Sequence, residues 1–206
     1  MSPPGRDPYV YPGMNVLINL KDLRDQKSLD RFESDAVAVC LIDLGQNPIK
    51  GPFDIRRLQE THRRIFARVY PWAGEIRKDI GLMAKNRSGF VVAYGPSQNV
   101  PGALESTFAA LKAEKFLHGL EAGGMARRLA YYYSELDAIH AFRDGNSRTL
   151  RAFTSDLTQA AGHRLDWALA AKVEEDRQRL YHARDLAVMR GDLSELTAIF
   201  IAVLGG

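Results

Sequence analysis

The sequence predicts a mainly α fold carrying one β-hairpin flap. Three observations predict it. Apolar residues recur at helical spacing along most of the chain. One short segment, Gly89 to Tyr94, is instead rich in strand formers and bounded by turn residues. The length of 206 residues, with 46% hydrophobic and 26% charged residues, suits one packed domain rather than a disordered or disulfide-stapled chain. That domain is expected to span residues 1–206, with a helical core from about 28 to 204.

Taken in order, the residues through Gly13 are rich in Pro, Gly and Tyr and predict an irregular arm. From Ser28 to Leu44, the residues Leu29, Phe32, Ala36, Val37, Cys40, Leu41 and Leu44 share one broad helical face. Gly45 and Pro48 predict its end. Asp54 is placed to cap a second helix, in which Ile55, Leu58, His62, Ile65, Phe66 and Val69 keep the period. Pro71 ends it. Between Glu75 and Gly95 the helical period is lost, and Gly81, Asn86, Ser88 and Gly89 predict an extended hairpin or flap. Helical spacing returns from Pro101 to Leu117, Gly124 to Ile139, Asn146 to Ala161, Asp166 to Met189 and Leu193 to Leu204. Gly162 fits a C-terminal cap and Asp192 an N-cap.

Lys and Arg total 28 against 25 Asp and Glu, a net charge of +3 with the two signs interspersed. No basic stripe stands out, so direct nucleic-acid binding is not expected; a phosphate-binding pocket would produce the same small excess. No apolar run approaches the roughly 20 residues that span a bilayer, and the first residues lack a secretory h-region. A cytoplasmic protein without a membrane partner is expected. Cys40, the one cysteine, lies in an apolar run and reads as a buried small hydrophobe.

The chemistry concentrates in His140-Ala-Phe-Arg-Asp-Gly-Asn-Ser-Arg-Thr-Leu-Arg151. This segment joins two helical patterns. A loop that opens a helix offers unpaired backbone N–H groups and the positive end of the helix dipole. Gly145 permits a turn and a close ligand approach, and the result is a nest suited to phosphates. Arg148 and Arg151, three apart, project from nearly one face and are suited to phosphate oxygens. Asp144 is a hard oxygen ligand for Mg²⁺. His140 is a candidate general base. Phe142 is expected to anchor the loop in the core.

This segment resembles the signature of the Fic family, His-x-Phe-x-(Asp/Glu)-Gly-Asn-Gly-Arg-x-x-Arg. It matches at His140, Phe142, Asp144, Gly145, Asn146, Arg148 and Arg151, and departs at Ala141, usually Pro, and Ser147, usually Gly. Tyr70-Pro-Trp-Ala-Gly-Glu-Ile-Arg77 is similar to the segment leading into the Fic flap. Gly5 to Gly13 resembles the start of small stand-alone bacterial Fic proteins. The resemblance implies a single Fic-type helical domain that transfers AMP from ATP to a protein hydroxyl. His140 would deprotonate that hydroxyl, Asp144 would hold Mg²⁺, and Gly145, Asn146 and Ser147 would cradle phosphate and ribose. Arg148 and Arg151 would hold the outer phosphates. A flap containing Ile80, Gly81, Leu82, Phe90 and Val91 would dock an extended target segment by strand addition. The imidazole is expected at the mouth of an arginine-lined cavity.

The family's inhibitory Ser/Thr-x-x-x-Glu-Gly/Asn pattern does not occur in this sequence. The resemblance therefore implies a toxin restrained by a separate small antitoxin protein, with a type II topoisomerase subunit as target by family analogy. The alternative is a degenerate Fic fold that binds nucleotide or protein without transfer. Outside the motif, His62 reads as a satisfied core histidine. Tyr131, Tyr132 and Tyr133 read as core packing. His118, His163 and His182 lack metal-ligand spacing, so no zinc site is expected.

Overall fold

Helical periodicity becomes seven α-helices in the computed structural model of the chain, which describes residues 7–80, 83–87, 90–170 and 174–205. Helix α1 spans Gln26–Gln46, and the Asp25 carboxylate caps it by accepting from the Ser28 N–H. It runs through Gly45, which was expected to stop it. A helical glycine costs only about 1 kcal/mol, whereas Pro48 forces its predecessor Asn47 out of the helical region. The predicted apolar face is only partly covered: Leu29, Val37 and Cys40 are buried, but Leu41 is 37% and Ile42 63% exposed. Helix α2, Ile55–Phe66, is capped by Asp54 as expected and stops at Phe66. Val69 then closes a turn onto the Phe66 carbonyl.

Strands β1, Met83–Arg87, and β2, Phe90–Tyr94, pair antiparallel and form the predicted hairpin. Its pleat is read directly from burial: Val92 and Tyr94 are each 1% exposed, and Val91 between them is 62% exposed. Ile80 packs against the core at its base. Gly81 and Leu82, expected in the flap, lie outside the described residues.

Helix α3, Val100–Ala113, is shorter than the sequence period suggests. After Glu114 the chain turns left-handed, with φ of 53°, 54° and 63° at Lys115, Phe116 and Leu117. Each such residue costs on the order of 1 kcal/mol. Complete burial of Leu117 and the bonds from Arg128 and Tyr132 to the Glu114 carboxylate offset it. Helix α4 spans Ala122–Ile139 and α5 spans Asn146–Ala160. A two-residue strand β3, Arg164–Leu165, follows. The helix expected from Asp166 starts only at Glu174, as α6, Glu174–Arg190. Asp166 instead donates its N–H to the Val203 carbonyl, and Trp167–Ala170 form a 3₁₀ turn. Helix α7, Ser194–Val203, leads into β4, Leu204–Gly205, which pairs with β3. Two-residue strands carry no periodicity, so this second pairing had no sequence signature. The N-cap is Leu193 rather than the expected Asp192, because the helix starts one residue late; Asp192, just before the cap, accepts from the Ser194 N–H.

Two apolar clusters organise these elements. One centres on α4 and gathers Met125, Leu129, Tyr133, Phe153 and Phe200. The other joins α1 to α2 and the arm through Leu29, Ile65, Phe66, Tyr9 and Tyr11. Tyr132 and Tyr133 are buried, and Tyr131 packs against the first cluster, in keeping with a core role. Cys40 is buried too. Among the described residues, no helix is long and apolar enough to cross a membrane. The loop between α4 and α5 lies at the seam: Phe142 belongs to the first cluster and Phe66 to the second, and the His62 ring stacks on Phe142 at 3.9 Å and meets Phe66 at 4.7 Å.

Candidate active site

The loop begins where α4 ends. His140 is the C-terminal cap of α4, in the left-handed region at φ 49°, and Gly145 is the N-cap of α5 at φ 77°. A Cβ on Gly145 would lie 2.4 Å from two ring carbons of Phe66. The space over this glycine is therefore filled by Phe66, not kept open for a ligand as expected. The Asn146 side chain is likewise engaged within the loop. Its Oδ1 accepts from the Phe142 N–H at 2.9 Å and its Nδ2 donates to the Phe142 carbonyl at 2.8 Å. Its contribution to a ligand reduces to its backbone N–H, one of the unpaired donors of a helix N-terminus.

Two buried cationic-type residues from upstream set the loop in place. His62 is fully buried and satisfied, as expected for a core histidine. Its Nδ1 accepts from the Gly74 N–H at 2.8 Å, so its Nε2 carries the proton and donates to the Asp144 carbonyl at 3.1 Å. Burial pushes its pKa down to about 3. Arg77, 1% exposed, donates from Nε to the His140 carbonyl at 2.7 Å and from a terminal nitrogen to the Gly95 carbonyl at 2.7 Å. It ties the end of the hairpin to the loop.

The His140 ring is 1% exposed and lies under Tyr94, stacked at 3.7 Å. Its Nδ1 sits 3.3 Å from the Asp137 carbonyl. A carbonyl only accepts, so Nδ1 carries the proton and Nε2 holds the lone pair. Nε2 is buried and has no hydrogen-bond partner among the described residues. Burial, and then the positive charge of Lys85, push the imidazole pKa down to about 3. The Asp137 carboxylate forms a buried bidentate pair with Arg184 from α6, at 3.0 and 2.7 Å. Burial opposes the Arg184 charge, but Asp137 outweighs it and holds the guanidinium pKa above its ordinary value. A third Arg184 nitrogen donates to Ser147 Oγ at 3.0 Å.

Arg148 is gripped by two carboxylates. It donates to Glu33 of α1 and, at 3.0 Å, to Asp144 Oδ2. Glu33 also accepts from the Tyr70 hydroxyl, whose pKa is raised by burial and by that bond. Arg148 and Arg151 line a cleft of about 330 Å³ together with Leu41, Leu44, Pro48 and Trp167. His140 is not among its lining residues. Tyr94 of the hairpin stacks on one face of the His140 ring. Asp144 fits a Mg²⁺ held mostly by phosphates. Its side chain is 31% exposed, and one oxygen, Oδ2, is engaged.

The structure brings His140, Asp144, Gly145, Asn146, Ser147, Arg148 and Arg151 onto one loop and the first turns of α5. The flap's Val91 is exposed and Ile80 lies at its base, while Phe90 belongs to β2. Sequence reading missed Glu33, Tyr94, Asp137 and Arg184 as parts of the site. Their signature lies in three-dimensional proximity; the one local sign is Asp137, one helical turn before His140.

A model of the Fic/DOC family matches residues 52–157. The chain is 35% identical over 196 residues to the protein adenylyltransferase VbhT of Bartonella schoenbuchensis, covering 93% of this chain and 40% of that protein's length. It is 29% identical over 202 residues to the probable protein adenylyltransferase Fic of Escherichia coli, covering 97% of this chain and 93% of that one. Its fold superposes with a TM-score of 0.85 and 25% identity on the N-terminal Fic domain of a VirB-translocated effector from Bartonella quintana, solved with ADP bound. That match covers 96% of this chain and 94% of the other.

Proposed function

The chain belongs to the Fic/DOC family, and from that membership we propose that it is a protein adenylyltransferase moving AMP from ATP onto a hydroxyl of a target protein. The observation that carries this reading is the His140 ring: its proton is pinned on Nδ1 by the Asp137 carbonyl, and its Nε2 lone pair is buried and unspent. Nε2 takes the proton of a target Ser, Thr or Tyr hydroxyl, whose oxygen bonds to the α-phosphorus as the bond to pyrophosphate breaks. The products are an adenylylated side chain and pyrophosphate. A base held near pKa 3 is weak; the negative charge of a bound triphosphate beside it raises it toward the working range.

The first turn of α5 offers backbone donors to the phosphates, and Arg151 offers its guanidinium from the cleft. Arg148 joins it by exchanging a carboxylate partner for phosphate. Asp144 is the residue that would hold Mg²⁺, which neutralises phosphate charge when bound. Tyr94 stacks on the face of the imidazole and so helps to fix the plane in which the Nε2 lone pair points. The hairpin has two strands, so each keeps an unpaired edge among the described residues, suited to an extended target segment.

The reading extends to restraint by a separate antitoxin. Leu41 and Ile42 expose apolar surface on α1, and Leu41 continues into the cleft where Arg148 and Arg151 lie. A small helical inhibitor laid there would cover both. A type II topoisomerase subunit as target, residues 1–206 as one catalytic unit and a cytoplasmic setting complete the proposal by family likeness.

The test is incubation with α-labelled ATP and lysate. A labelled target band is expected from the unmodified chain and none from His140→Ala, which still binds ADP. Persistent labelling by His140→Ala removes the base assignment. Binding without any labelling in either favours a degenerate nucleotide-binding module instead.

A further inference from the structure

We propose that Arg184 is a positioning residue for the phosphate-binding loop, acting through the hydroxyl of Ser147. The inference rests on the reading that this loop binds the phosphates of a nucleotide. Arg184 comes from α6 and is 1% exposed at its side chain. A buried guanidinium is tolerated only when its charge is paired and its N–H groups find acceptors. Asp137 supplies the pairing with both oxygens, at 3.0 and 2.7 Å. The remaining terminal nitrogen is directed at Ser147 Oγ, 3.0 Å away.

The hydroxyl's inventory then decides its direction. It has one proton and two lone pairs, and a guanidinium can only donate. Arg184 donates to Oγ at 3.0 Å, and Arg151 approaches the same oxygen at 3.5 Å. With both cations on the lone pairs, the Ser147 proton points away from them. No acceptor for it is present among the described residues. Ser147 is the second residue of α5, where unpaired backbone N–H groups already favour an anion. The serine that departs from the usual glycine thus adds a side-chain donor to the phosphate nest, and Arg184 aims it. The same Asp137 that holds Arg184 gives its carbonyl to His140 Nδ1 at 3.3 Å, so one buried residue braces both ends of the loop.

The test is a double-mutant cycle read by ADP titration calorimetry and by KM and kcat for ATP. Ser147→Ala removes the donor and, with it, the acceptor of one Arg184 N–H, while the bidentate Asp137 pairing of the guanidinium stays. It is expected to weaken ADP binding about tenfold, the worth of one charge-assisted bond. Arg184→Lys keeps a cation on Asp137 but gives up the planar fork. It is expected to raise KM for ATP by a similar factor, with kcat within about twofold. In the Ser147→Ala background, Arg184→Lys is expected to change ADP affinity no further. Thermal unfolding of each variant confirms that it folds. Equal losses from Arg184→Lys in both backgrounds overturn the proposal, because Arg184 would then affect binding by a route that does not pass through Ser147. So does a Ser147→Ala chain that binds ADP as tightly as the original. If the unmodified chain binds neither ADP nor ATP, this inference and the transferase reading fall together. If ADP binding shows the expected coupling but no AMP is transferred, only the transferase reading falls.

Discussion

Phe66 stands where a side chain on Gly145 would have to go, with ring carbons 2.4 Å from the position of an added Cβ. Gly145 also holds φ at 77°, where residues with a Cβ are strained. Gly145→Ala therefore meets two penalties, a left-handed backbone and an overpacked ring. Together they are expected to lower unfolding stability by about 2–4 kcal/mol. Urea denaturation checks this. A loss below about 1 kcal/mol would show that Phe66 moves aside freely.

Stability is expected to fall with acid through two histidines. Burial pushes His62 and His140 down to about 3, while in the unfolded chain both sit near 6.5. Between those values the unfolded state binds more protons than the folded one, so stability is lost as pH falls from about 6.5 toward 3. The slope is on the order of 1 kcal/mol per pH unit for each ring. Denaturant midpoints measured at stepped pH should show it, and His62→Gln should flatten it. An unchanged slope in that variant would mean that His62 is not the group titrating.

Glu33 competes with any anion for Arg148, to which it is directly bonded. Removing its charge is expected to tighten ADP binding roughly threefold or more, since a like charge beside a phosphate site costs affinity. Glu33→Gln, followed by calorimetry, tests this. Weaker binding would mean that Glu33 instead presets Arg148 for the ligand.

The apolar strip on α1 yields a prediction about partners. Ile42 is 63% exposed, so Ile42→Glu should leave the melting temperature within about a degree, as surface changes do. If an inhibitor helix covers this strip, the same variant should lose co-purification with a small partner chain and retain full transfer activity. A partner that binds the variant equally well docks elsewhere.

Much of this architecture was legible from residue order alone. Helical periodicity found each long helix, and the hairpin announced itself through Gly89 and the strand formers that follow. The motif loop was readable because its chemistry is contiguous from His140 to Arg151. Three kinds of feature were not. Gly45 resembles a helix stop but is tolerated, because only the proline at 48 enforces an end. The Lys115–Leu117 turn is left-handed for reasons of burial and long-range bonding by Glu114 that no local pattern carries. The braces of the site, Glu33, Tyr94 and Arg184, come from helices and a strand far apart in sequence. The role of Gly145 was misread for the same reason, since Phe66 is 79 positions earlier.

The way His62 and Arg77 grip the motif loop through its backbone carbonyls has a practical corollary for protein engineering. Grafting the stretch from His140 to Arg151 onto an unrelated helical hairpin would carry over the reactive groups and leave behind what bends them into shape. The smallest transplantable cassette extends from Glu33 through Arg184, nearly the entire helical body, so this chemistry is portable only together with its scaffold.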